Sequence, residues 1–140
     1  NVAAVNRAIE LCKAKGAKRA LPLPVSVPSH CALMKPAAER FAESVNAIEW
    51  KAPQIPVVQN VTAAIAADLD ALKHDLLAQL YQPVRWVECV QTLAANGAVN
   101  LVECGPGKVL AGLNKRCADG VTTYNLNTPD AVAATRAALA

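Results

Sequence analysis

"NGAVNLVECGPGKVLAGL", Asn96–Leu113, decides the fold. Asn96-Gly97 is a helix-ending pair, and Val99–Gly105 ("VNLVECG") is a short apolar run of strand length. A tight Gly-Pro-Gly turn follows, with Pro106 suited to a first helical position, and Val109, Leu110 and Leu113 give the next helix an inner face. Helix, strand, glycine turn and helix in that order are the signature of a βα unit, and fit a helical α/β domain.

Working outward, Trp86, Val90, Leu93 and Ala94 mark the helix that precedes this strand. Before it, Asp68 can cap a helix carrying Leu69, Leu72, Leu76 and Leu80, which Pro83 stops and which places Gln79 near its end. "IPVVQNV", Ile55–Val61, reads as a short buried strand. On the C-terminal side, "VTTYNL" and a final helix capped by Thr128 with Pro129 close the chain.

The N-terminal third opens on a helix with Val2, Val5, Ile9 and Cys12 on one face and Gly16 as its C-cap. Leu21, Leu23, Val25 and Val27 then alternate as in a strand, while Pro22 and Pro24 restrict it to a sheet edge. From Pro36, well placed in a first helical turn, Ala38, Phe41, Val45 and Ile48 mark a further helix. Within "PVSVPSHCALMKP", Pro24–Pro36, His30 therefore falls at a strand-to-helix junction. No internal repeat or low-complexity linker divides the chain, and the sharpest change of character lies near Pro24–Pro28.

Composition agrees with this reading. The 140 residues are 54% hydrophobic but only 4% aromatic, which predicts an aliphatic, helix-rich core with small residues at close contacts. A net charge of +3, spread without basic runs or interleaved aromatics, argues against nucleic acid as a partner. No apolar stretch nears the roughly 18 residues of a membrane span, and the first residues lack the pattern of a signal peptide. Five cysteines without a C-x-x-C pair or zinc spacing fit a reduced, cytoplasmic protein with no metal and no cofactor. The only methionine is Met34, so the chain reads as a piece of a longer polypeptide.

Three groups carry candidate chemistry. His30 is suited to proton transfer near neutrality, whereas His74, beside Asp75 among polar residues, reads as a solvated side chain. Cys104, just ahead of a helix start, is a candidate nucleophile with His30 as its base, although a thiol at a strand end is also an ordinary small core residue. "CGPGK" lacks the spacing of a phosphate-binding loop and reads as a turn.

"GAKRALPLPVSVPSHCALMKPAAERFAESV", "APQIPVVQNV", "QLYQPVRWVECVQTL" and "LVECGPGKVLAGLNKR" together resemble the C-terminal part of bacterial malonyl-CoA:acyl carrier protein transacylases. The resemblance runs in order along essentially the whole chain. It implies residues 1–25 as the tail of a small ferredoxin-like subdomain, and 26–140 as the C-terminal part of a hydrolase-like α/β core with a parallel sheet.

The resemblance further implies a two-step exchange: a serine takes malonate from malonyl-CoA as an ester and passes it to the phosphopantetheine thiol of acyl carrier protein. His30 matches the family's catalytic histidine, and Gln79 the residue whose main-chain carbonyl holds the other imidazole N–H. The family's serine sits in a G-x-S-x-G elbow, yet none of the six glycines here has a serine two residues later. The malonate-binding arginine and the oxyanion segment likewise belong to the family's N-terminal part. The expectation is a chain that carries half an active site and is unstable or aggregates alone. The alternative is a non-catalytic fragment that binds carrier protein or a complementary N-terminal half. Lys108, Lys115 and Arg116 are candidates for steering the acidic carrier protein.

Overall fold

A computed structural model describes all 140 residues. Six α-helices and two strands follow one another as α1 (Val2–Ala14), α2 (Lys35–Ala47), α3 (Leu69–Ala78), α4 (Trp86–Ala95), β1 (Asn100–Glu103), α5 (Val109–Asn114), β2 (Thr122–Asn125) and α6 (Pro129–Leu139). A 3-10 turn, Ala32–Met34, leads directly into α2. The strands pair in parallel, Asn100 opposite Thr122 through Glu103 opposite Asn125, so β1, α5 and β2 form a βαβ unit that takes in most of Asn96–Leu113. α5 lies against both strands, α6 against β2, and α2 against α3.

Local chemistry explains most helix boundaries. Asp68 Oδ1 accepts the Ala71 N–H at 2.8 Å and starts α3, and Thr128 Oγ1 accepts the Ala131 N–H at 3.2 Å and starts α6. α1 and α4 end on glycines at φ +93° and +91°, Gly16 and Gly97. At each, the glycine and the residue after it donate backward to two orphan carbonyls: Gly16 to Lys13 and Ala17 to Cys12, Gly97 to Ala94 and Ala98 to Leu93. A side chain would strain that backbone.

Four expectations are corrected. Leu21–Val27 is not an edge strand: Pro22, Pro24 and Pro28 remove donors, and Val25 and Ser29 instead donate two residues back, to Leu23 and Val27, in tight turns. Ile55–Val61 is not a buried strand either. It keeps one antiparallel bridge, Val58 with Ile65, because no second strand lies beside it, and Ile55 stays exposed.

The third correction is at Pro106, which lies in the loop ahead of α5 because glycines on both sides disfavour helix there. α5 begins at Val109, and its Ala111 N–H is capped at 2.8 Å by the Glu103 carboxylate reaching over from the end of β1. The fourth is the inner face of α5: Val109, Leu110 and Leu113 are exposed, while Ala111 and Asn114 are buried, Asn114 Oδ1 accepting the Trp86 indole N–H at 2.9 Å.

The core is small and made of small residues, as the composition predicts. Val45 on α2 and Val90 on α4 are its largest fully buried side chains, joined by Ala38, Ala63, Ala78, Cys89, Ala111 and Cys117. Only 11 of 140 residues are buried, and none of them lies on α1. The accessible surface is 10347 Å², against about 6,900 Å² for a folded monomer of this mass. Large apolar side chains including Leu23, Leu33, Ile55 and Val109 stand in the excess.

Candidate active site

His30 is one of two non-glycine residues with positive φ, at 61°. This left-handed conformation costs a histidine roughly 1–2 kcal/mol, so it persists where surrounding bonds enforce it. Those bonds come from the end of α3. In its last turn, Leu80 donates to Leu77, and Tyr81 and Gln82 both donate to Ala78, which leaves the next two carbonyls, of Gln79 and Leu80, facing outward.

His30 takes both. Its backbone N–H donates to the Leu80 carbonyl at 2.9 Å, and its ring Nδ1–H donates to the Gln79 carbonyl at 2.8 Å. The positive φ is what lets main chain and ring face one helix end together. A carbonyl can only accept, so the hydrogen resides on Nδ1 and the lone pair on Nε2. Nε2 has no partner within the chain, and the ring is exposed beside an open concavity of about 600 Å³ lined by Pro24–Ser29. His30 and Gln79 are thus brought together across 49 positions of sequence.

The other candidates stand apart. Cys104 is exposed at the end of β1 and lines a separate hollow with Trp86, Leu93 and Leu110, so the thiol and the imidazole are not assembled into a dyad. His74 is exposed, 3.4 Å from Asp75 Oδ1. Lys108, Lys115 and Arg116 are exposed and form no salt bridge.

Sequence reasoning missed what holds Gln79 in place. Residues 58–65 form a turn, closed by Ala63 N–H to the Gln59 carbonyl and Gln59 N–H to the Ala64 carbonyl, with Ala63 at φ 55°. Toward α3, Asn60 Nδ2 donates to Gln79 Oε1 at 3.1 Å and Thr62 Oγ1 donates to the buried Asp75 Oδ2, also at 3.1 Å. Toward α4, the Arg85 backbone donates to the Asn60 carbonyl, Arg85 Nη1 to the Thr62 carbonyl and Thr92 Oγ1 to the Ala63 carbonyl. Arg85 also pairs with Glu88, whose carboxyl is held below its ordinary range first by a backbone N–H at the start of α4 and then by that guanidinium. Burial, with the Glu88 charge adding to it, pushes the Cys89 thiol up. The sequence signal was the polar Gln59-Asn60 pair and Thr62 inside an otherwise apolar run, which a buried strand does not explain.

No helix is long and apolar enough to cross a membrane. No family model matches the chain. Among curated proteins it is 55% identical over 131 residues to the malonyl CoA-acyl carrier protein transacylase of Escherichia coli, covering 94% of this chain and 42% of that protein. A solved malonyl-CoA:acyl carrier protein transacylase from Xanthomonas oryzae superposes with a TM-score of 0.92 at 46% identity, over 99% of this chain and 44% of the other. A second structure, a type II PKS acyl-carrier protein in complex with its malonyl-transacylase, matches at 50% identity and a TM-score of 0.85, over 93% of this chain and 42% of that one. In sequence and fold the chain corresponds to the C-terminal part of these transacylases, and it spans less than half of their length.

Proposed function

We propose that this chain supplies the histidine-bearing part of a cytoplasmic malonyl-CoA:acyl carrier protein S-malonyltransferase, with malonyl-CoA and acyl carrier protein as its substrates and fatty acid synthesis as its setting. The observation that carries the proposal is the His30 ring held at Nδ1 by the Gln79 carbonyl, with Nε2 open toward solvent. Residues 1–25 are the tail of a small ferredoxin-like subdomain and 26–140 the C-terminal part of the hydrolase-like core.

In this reading Nε2 takes the proton of a serine on the N-terminal part as its oxygen attacks the malonyl thioester carbonyl. The imidazolium returns that proton to the departing CoA thiolate, leaving malonate as a serine ester. Nε2 then accepts the proton of the carrier's phosphopantetheine thiol as its sulfur attacks the ester, and hands it to the leaving serine oxygen. Throughout, the Gln79 carbonyl fixes the tautomer and steadies the imidazolium, the task an aspartate performs in a Ser-His-Asp triad. Because this acceptor is backbone, replacing the Gln79 side chain does not remove it.

The excess exposed surface favours a second polypeptide segment as the companion of these faces, whether or not catalysis follows. The test is transfer of radiolabelled malonyl from CoA to acyl carrier protein by the chain, with and without a separately made, serine-bearing N-terminal part of the Escherichia coli relative. Transfer is expected in the mixture alone, and His30→Ala is expected to lower it by about a thousandfold or more. Transfer by the chain alone refutes the division of the site. A mixture that associates but transfers nothing supports the non-catalytic, complement-binding alternative.

A further inference from the structure

We infer that Asn60 is a positioning residue for His30, acting through Gln79; the inference rests on the transacylase reading above. The carbonyl that sets the imidazole belongs to the C-cap of α3, the end of a helix, where hydrogen bonding thins out and fraying begins. The structure does not leave that end to itself.

The turn 58–65 grips it by two rungs. Asn60 bonds the Gln79 side chain and Thr62 bonds Asp75, two residues apart in the turn and four apart on α3. A pair of contacts one helical turn apart fixes both the rotation and the height of the last turn, where a single one would leave a pivot. The turn is in turn fastened to α4 through the Arg85 backbone on the Asn60 carbonyl at 2.8 Å, Arg85 Nη1 on the Thr62 carbonyl at 3.0 Å and Thr92 on the Ala63 carbonyl at 2.7 Å.

Of the two rungs, the one from Asn60 lands on the residue that holds the imidazole. Both amides are half-buried, so the bond is shielded from competing water. Asn60 touches no substrate in this account. It keeps the Gln79 carbonyl aimed at Nδ1–H, and so keeps the lone pair of the neutral ring on Nε2, where it can act as base.

The test uses this chain joined behind the serine-bearing N-terminal part of the Escherichia coli relative, with kcat taken per folded molecule. Asn60→Ala is expected to lower kcat about five- to tenfold, with KM for malonyl-CoA unchanged. Gln79→Ala, which keeps the main-chain carbonyl and the turn, should show the same loss, and the double variant should be no worse than either alone. Asn60→Asp should recover part of the rate, since the Gln79 amide can turn its NH2 toward the carboxylate. Long-range proton–nitrogen NMR of His30 should show a single Nδ1–H tautomer in the parent and a mixture in Asn60→Ala.

An unaltered kcat and tautomer in Asn60→Ala would overturn the inference, as would losses that simply add in the double variant. If Asn60→Ala does not fold, Gln79→Ala carries the same expectation and the same refutation. Full activity in His30→Ala would instead overturn the transacylase reading itself, whatever the Asn60 variants do.

Discussion

At the scale of single residues, environment separates five cysteines of one composition into different chemistries. Cys12 and Cys104 are exposed, Cys31 is half-buried with its thiol on the Pro28 carbonyl at 3.2 Å, and Cys89 and Cys117 are buried. The thiolate is the reactive species, and burial together with the neighbouring Glu88 charge disfavours it at Cys89. Timed alkylation with mass-spectrometric readout should therefore label Cys12 and Cys104 first, and Cys89 and Cys117 more than tenfold later. Early labelling of Cys89 would mean that the packing of α4 against the 58–65 turn is not maintained in solution. His30 was legible at this scale as an imidazole just ahead of a helix, but not at the strand-to-helix junction expected, since turns and no strand precede it; its pairing with Gln79 came from family resemblance. Its left-handed backbone was not legible, because nothing local in Ser29-His30-Cys31 demands positive φ; the demand comes from two carbonyls far along the chain.

At the scale of elements, helices were read well and strands poorly, for a physical reason. Capping and apolar periodicity are local, so Asp68, Thr128, Gly16 and Gly97 announce their helix ends within a few residues. A strand needs a partner to exist. Ile55–Val61 has strand chemistry but only the Val58–Ile65 bridge, and it turns into the clamp on α3, whereas Asn100–Glu103 finds Thr122–Asn125 and pairs. The cap that Glu103 provides to α5 escaped for the same reason, being a contact eight residues long.

The start of α4 offers a test with a definite sign. Glu88 is held below its usual range by a backbone N–H and by Arg85, so its contribution is complete above the ordinary carboxylate value of 4.5 and fades as pH falls through its lowered folded value. In the joined protein, Glu88→Gln should lower the urea midpoint slightly at pH 7 and leave it unchanged at about pH 2–3. A deficit that persists at low pH would show that shape, not charge, is what Glu88 provides.

At the scale of the whole molecule, the governing fact is surface. An accessible area of 10347 Å² exceeds the expectation for a compact monomer of this mass by about half, and side chains such as Leu21, Val25, Ile55 and Val99 stand in it. Patches of this kind associate in water. The chain alone should brighten an apolar-surface dye and self-associate in sedimentation, and the serine-bearing N-terminal part should suppress both by at least half. A dye-silent monomer would show that the chain closes its own faces by a different packing. The α/β class and the βα unit were legible from Asn96–Leu113, but the thinness of the core was not, since 54% hydrophobic content promises more burial than these six helices and two strands provide.

The most direct test of a divided active site is where malonate becomes attached. Labelled malonyl-CoA is added without carrier protein to the mixture of this chain and the N-terminal part, and the two polypeptides are separated under denaturing conditions. The account predicts label on a serine of the N-terminal part, formed only when this chain is present and lost with His30→Ala. Label on this chain, at Cys104 or elsewhere, or label on the N-terminal part that His30→Ala leaves undiminished, would contradict it.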